Sequence, residues 1–196
     1  NEYGLASYKT PDNFAQREVQ WLLDIGGITI QHNWKLESNA QLNALRKDFD
    51  AVFLGVGLST THALDVSGEG LLGVQDAVDF IATLRQTPDL SALPVGRRVV
   101  VIGGGMTAVD AAVQSKLLGA EEVHMVYRRG PETMSASTAE QEWAQTNGVV
   151  LHQWLAPVEI LGRDGFVCAV RFAEQAMVGG KLQATGREIT FEADTV

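Results

Sequence analysis

Residues 97–112, Arg-Arg-Val-Val-Val-Ile-Gly-Gly-Gly-Met-Thr-Ala-Val-Asp-Ala-Ala, constrain the fold more than any other stretch of this chain. Val99 to Ile102 is an unbroken β-branched run, the pattern of a strand covered on both faces. Three glycines then permit a sharp turn, and Thr107 to Leu118 has helical spacing until Gly119 stops it. Val123 to Tyr127 supplies a second apolar run, completing a strand-helix-strand unit within about 30 residues. Such units join parallel strands. The sequence therefore predicts an α/β fold with a Rossmann-like parallel sheet and helices on both faces.

The flanking segments fill in the plan. Thr10-Pro11-Asp12 offers an N-cap, a proline for the first helical position and an acid for the first turn, ahead of Ala15, Val19, Leu22 and Leu23 at helical spacing. Gly26-Gly27 ends that helix, Ile28 to Ile30 reads as a short strand and Ala40 to Leu45 as a short helix. Ala51 to Gly57 is an apolar run ending in glycines, predicted as a covered strand, and residues 58–72 read as a linker or domain crossing. Val74, Ala77, Val78, Ile81 and Leu84 restore the helical period before two prolines. Ser137 and Glu140 form a capping box for a helix that Gly148 stops. Val149–Leu155, Val158–Leu161, Phe166–Phe172 and Arg187–Phe191 read as strands between short Gly-rich turns, predicting an antiparallel β appendage.

A net charge of -9 argues against nucleic acid and anionic membranes as partners, because both need clustered Lys and Arg. No apolar run approaches a membrane span and the first residues lack a signal-peptide pattern, so cytoplasm is the expected location. Cys168 is the one cysteine, which excludes an internal disulfide and a CxxC pair, and it reads as a buried inert thiol. The four histidines lack the i,i+4 spacing of a helical metal site.

Gly103-x-Gly105-x-x-Ala108 fits the dinucleotide fingerprint G-x-G-x-x-G/A. The first glycine allows the tight turn, the second admits a pyrophosphate to the backbone, and the small sixth residue lets helix and strand pack closely. Phosphate would then rest at the helix N-terminus, which assigns Gly103, Gly104, Gly105, Met106, Thr107 and Ala108 to cofactor binding. A tight turn without a ligand is the plain alternative. At the end of the second strand an NAD site usually has an acid for the ribose hydroxyls. Here Tyr127 is followed by Arg128 and Arg129, two guanidiniums suited to the extra phosphate of NADP(H), unless they are solvated loop charges.

Other glycine-loop chemistries are excluded by residue type. A P-loop needs Gly-Lys-Ser/Thr, whereas Gly105 is followed by Met106 and Thr107. A short-chain dehydrogenase needs Lys four residues after its Tyr, and Tyr3, Tyr8 and Tyr127 have Ser7, Asp12 and Pro131 there. No acid/base constellation accompanies the glycines, so the catalytic residue set is empty and a flavin is the expected hydride acceptor.

Several segments together resemble the NADPH- and FAD-binding flavoprotein unit shared by the small subunit of bacterial glutamate synthase and the N-terminal half of dihydropyrimidine dehydrogenase. They are Tyr3-Gly4-Leu5 through Pro11, Asp50 to Gly57, Ser67-Gly68-Glu69, Val99 to Ala112, and Val126 to Arg129 with Met134, Ala136, Glu142 and Gly148 behind them. The resemblance implies hydride transfer from NADPH to FAD, then single electrons through iron-sulfur clusters to a partner subunit or domain. It also implies residues 1–66 as a remnant of an FAD-binding domain and 67–196 as an inserted NADP(H)-binding domain, with 192–196 returning toward the first. From the lack of an initial Met and the strand-like ending we expect a fragment that binds nucleotide, holds FAD poorly and is inactive alone, and the resemblance implies that the flavin's own glycine motif and the cluster cysteines would lie upstream. Met106 stands where that family usually has Asn or Asp, and Ala6 and Ser135 replace prolines. A non-catalytic NADP(H)-binding scaffold that docks a partner is the competing reading.

Overall fold

The computed structural model describes residues 3–57, 61 and 63–196. The chain forms two compact units, Asn13–Thr61 and a larger one made of Asn1–Asp12 with His62–Val196.

The smaller unit contains two helices. Helix α1 (Phe14–Asp24) starts later than its sequence signals, because Asp12 and Asn13 adopt left-handed backbone with φ 58° and 52° and break any helical path from Thr10. Gly26 and Gly27, at φ 84° and 75°, end it as predicted. Helix α2 (Asn39–Asp48) begins at a capping box of Ser38 and Gln41. The strands predicted at 28–30 and 51–57 are absent: both segments lie outside any ladder, and Phe53 is 94% exposed. An apolar β-branched run supplies only the tendency. A strand also needs a neighbour whose N–H and C=O groups pair with its own, and none of the described residues provides one here. Within the predicted linker, positions 58–60 and 62 lie outside the described residues.

In the larger unit, helix α3 (Ala77–Gln86) precedes a parallel sheet of β1 (Arg98–Ile102), β2 (Glu122–Val126) and β3 (Val150–His152), in that order. The crossovers are helices α4 (Met106–Leu117) and α5 (Thr138–Thr146). Gly119 at φ 103° and Gly148 at φ 82° stop them, and the Ser137–Glu140 capping box forms as predicted. After β3 the chain enters an antiparallel sheet, β4 (Leu155–Arg163), β5 (Phe166–Val178) and β6 (Lys181–Glu192).

The α/β class, the parallel sheet and the antiparallel appendage agree with the sequence reading. The placing of helices on both faces does not. Right-handed crossovers put successive helices on one side as long as the strand order does not reverse, and β1-β2-β3 never reverses. Val99, Val101, Val123 and Met125 accordingly pack with Ile81, Leu84, Val109, Val113 and Ala144 on the helical side. The alternate residues Val100, Ile102 and Val126 meet Leu155, Ile160, Val170 and Phe172, so the antiparallel sheet covers the second face.

Two further differences concern the helix after the glycines, whose Ala-rich sequence reads as amphipathic, and the strand predicted at 149–155. Helix α4 is buried along Ala108–Ser115, with no polar face in water. Residues 6–9 cover its polar side: Tyr8 Oη donates to Asp110 Oδ1 at 2.7 Å, the Ala6 N–H to Oδ2 at 3.3 Å, and Gln114 Nε2 to Ser7 Oγ at 3.0 Å. The predicted strand is split, because Trp154 adopts φ 61° and turns the chain from β3 into β4. The final residues lie beside β1, where Thr195 O accepts the Val100 N–H at 3.0 Å.

Candidate functional site

Parallel register places Ile102 opposite Val126, so the segments that follow, beginning at Gly103 and Tyr127, leave the sheet together at one edge. The Gly103 N–H donates to Val126 O at 3.0 Å, binding the two exits to each other. Gly103 has φ 151°, and a Cβ there would stand 3.2 Å from the Cβ of Ala108. The first glycine and the small sixth residue of the fingerprint are thus needed for the same close approach of turn and helix.

Gly104 is buried against the Tyr127 ring: an added Cβ would come within 2.5 Å of Cδ2. The Tyr127 hydroxyl donates to Thr133 O at 2.8 Å, and Gly104 O accepts the Ala136 N–H at 3.1 Å. These contacts hold the glycine turn and residues 127–136 as one piece.

Gly105 is the N-cap of α4, in extended conformation and without a side-chain capping bond. The helix ladder opens with the Val109 N–H donating to Gly105 O at 3.1 Å. The amides of Met106, Thr107 and Ala108 precede that bond and carry the positive end of the helix dipole. Met106 is exposed and Thr107 half-buried, while Ala108 is buried in the core. Arg128 and Arg129 are both exposed, at the end of the neighbouring strand, and have no ion-pair partner among the described residues. All eight residues singled out from the sequence therefore belong to one edge of the parallel sheet.

Two polar clusters escaped the sequence reading. Beside the contacts of Asp110 already described, Lys9 Nζ lies 2.9 Å from Asp110 Oδ1 and 2.9 Å from Glu140 Oε1. Burial and then acceptance by Asp110 push the Tyr8 hydroxyl well above its ordinary pKa. Burial opposes the charge on Lys9, yet its two carboxylates hold its pKa above normal. The i,i+4 spacing of Asp110 and Gln114 was the available signal, since it puts two polar side chains on one helix face. In the second cluster, His124 Nδ1 and His152 Nε2 are 3.0 Å apart across β2 and β3. Period-2 alternation set against a parallel register could have placed them together. Cys168 is half-buried and free rather than fully enclosed.

Residues 4–196 match the pyridine nucleotide-disulphide oxidoreductase family. The chain belongs to that family. Among curated oxidoreductases, it is 32% identical to the small chain of NADPH glutamate synthase of Escherichia coli, over 94% of this chain and 40% of that one. It is 29% identical to the PreT subunit of the NAD-dependent dihydropyrimidine dehydrogenase of Salmonella typhimurium, over 82% of this chain and 38% of that one. The solved structure of FprA from Mycobacterium tuberculosis shares the fold, with TM-score 0.69 and 21% identity over 99% of this chain and 59% of that one. The chain spans less than half the length of these two curated relatives. Among the described residues, no helix is long and apolar enough to cross a membrane.

Proposed function

We propose that the chain is the NADP(H)-binding part of a flavoprotein oxidoreductase that takes hydride from NADPH. The family uses pyridine nucleotide and FAD, and the residues of this chain fit the first of these. The turn Gly103-Gly104-Gly105 is closely packed: a Cβ at Gly104 would run into the Tyr127 ring, and one at Gly103 would crowd Ala108. The uncapped amides of Met106, Thr107 and Ala108 suit a pyrophosphate. Arg128 and Arg129, exposed at the next strand end, would hold the 2′-phosphate as charge-assisted donors. The single observation that carries this reading is the convergence of an uncapped helix end and an unpaired arginine dipeptide on one sheet edge.

Residues 1–66 are proposed as part of a flavin-binding domain, with 67–196 as the nucleotide domain and 192–196 leading back to it. In such an enzyme, FAD would accept hydride and release electrons one at a time toward iron-sulfur clusters or a partner subunit. The described part of 13–61 contains no strand, and no flavin step is assigned to residues of this chain. The resemblance to a small chain and a subunit supports a partner in the same assembly.

Calorimetry at low salt tests the nucleotide reading. NADPH is expected to bind more tightly than NADH. Replacing both arginines by Ala should weaken NADPH by about 10- to 100-fold, the worth of one or two charged hydrogen bonds, with little effect on NADH. A preference for NADH, or failure to bind either, rejects the reading.

A further inference from the structure

We propose that Trp154 is a positioning residue for cofactor choice: its left-handed turn and its indole fix the backbone that carries Arg128 and Arg129. The inference rests on the nucleotide reading above. A bulky residue with φ 61° is rare, and it persists only where the surroundings determine the conformation. Here they do so through a set of backbone bonds around the arginines. The Tyr127 N–H donates to His152 O at 2.8 Å, and the Leu155 N–H donates to Tyr127 O at 3.1 Å. The Trp154 N–H donates to Arg129 O at 3.2 Å, and Trp154 O accepts the Gln175 N–H at 2.7 Å. The turn at 154 thus lets the end of β3 and the start of β4 both bond to the arginine segment.

The side chain adds a second restraint. Gly130 is buried between the indole and the Glu132 carboxylate: an added Cβ would run into both, coming within 2.5 Å of Trp154 Cζ2. Arg128 and Arg129 consequently stand between two fixed points, the Tyr127 ring on Gly104 and Gly130 under Trp154. Their guanidiniums are free while their backbone is not. Recognition of a 2′-phosphate beside a pyrophosphate requires a set distance between the two anion sites, and this clamp supplies it.

The test compares adenosine 2′,5′-bisphosphate, which carries the 2′-phosphate, with AMP, which lacks it, by calorimetry on the full-length protein. Trp154→Asn tolerates the left-handed backbone and removes the indole, Trp154→Gly relaxes both restraints, and Trp154→Phe keeps an aromatic edge over Gly130. The Asn and Gly variants are expected to bind the bisphosphate about tenfold more weakly, with AMP changed by less than about twofold and Phe restoring most of the difference. Equal weakening of both ligands, or no change in either, overturns the proposal. The Arg128→Ala/Arg129→Ala protein separates the two ideas. If it loses selectivity while the Trp154 variants keep theirs, only the present inference fails; if it too shows no selective loss, the nucleotide reading fails with it.

Discussion

Tyr8 donates its hydroxyl hydrogen to Asp110 at 2.7 Å, although 102 positions separate them in sequence. The bond fastens residues 6–9 over the helix that follows the glycine turn, and Lys9 adds a second donor at 2.9 Å to the same carboxylate oxygen. Both donors favour their protonated forms in the fold. Burial and then Asp110 raise Tyr8 above its ordinary 10.0, and the carboxylates of Asp110 and Glu140 outweigh burial to raise Lys9 above 10.5. A raised folded pKa contributes stability that is complete below the unfolded value and is lost as pH rises. The urea midpoint should therefore hold up to about pH 9.5 and fall beyond pH 10, and Tyr8→Phe should make that fall shallower. An identical alkaline limb in Tyr8→Phe would show that the phenol is not part of the linkage.

Asp110 itself is the residue whose loss costs most in this cluster. Replacing it with Ala leaves the Tyr8 hydroxyl, the Ala6 N–H and one side of Lys9 without their acceptor in a site where Asp110 is 1% exposed. Glu140 still partners Lys9, so the expected loss is about 3 kcal/mol rather than the full cost of an orphaned buried charge. Equilibrium denaturation measures it. Because Asp110 lies beyond the first turn of α4, the affinity of the remaining folded protein for NADPH should change little.

Gly104→Ala disturbs the site itself, by overpacking rather than by loss of a partner. The new Cβ would meet the Tyr127 ring at 2.5 Å, so the ring must move, and with it the segment leading to Arg128. Overpacking of this size costs about 1 to 3 kcal/mol. Shortening the neighbour in the double variant Gly104→Ala/Tyr127→Ala should recover part of that loss, a coupling read from a double-mutant cycle of melting data. Strict additivity would mean that the two side chains do not meet.

How much was legible in the sequence depended on how local each determinant is. The unit β1-α4-β2 could be read because its β-branched run, its glycines and its stop at Gly119 act within a few residues of themselves, and so does the Ser137–Glu140 cap. The arginine pair followed, since parallel strands must end at the same edge. The strand predicted at 51–57 failed because pairing depends on a neighbour that local pattern does not disclose. The helix placement failed because it follows from the direction in which strands are added, a property of the whole sheet. The i,i+4 spacing of Asp110 and Gln114 marks a polar helix face, but not what covers it, because the partners of Asp110 come from residues 6–9. Trp154 gave no sign either: nothing in Gln153-Trp154-Leu155 marks a left-handed turn, which is set by the bonds to Arg129 and Gln175.

His124 and His152 provide the remaining prediction, and its sign is opposite to that of Tyr8. His152 pairs in register with Val126, so His124 is its diagonal neighbour on the same face, with ring nitrogens 3.0 Å apart. Phe191 of β6 lies against both rings, at centroid distances of 4.9 Å and 4.6 Å. Such a bond needs one donor and one acceptor, which neutral imidazoles supply and two imidazoliums do not. Burial lowers both pKa values; the proximity of His124 lowers that of His152 further, while Glu122 partly offsets the effect on His124. A depressed histidine contributes stability that is present above the unfolded value near 6.5 and disappears as pH falls through the folded value. Melting temperature should decline from about pH 6.5 downward as the packing of β6 on β2 and β3 loosens. His152→Gln, which can still donate to His124 without titrating, should flatten the decline. Proton NMR of the imidazole resonances decides the matter directly, because midpoints at or above the ordinary histidine value for both rings would contradict the buried, shared hydrogen bond.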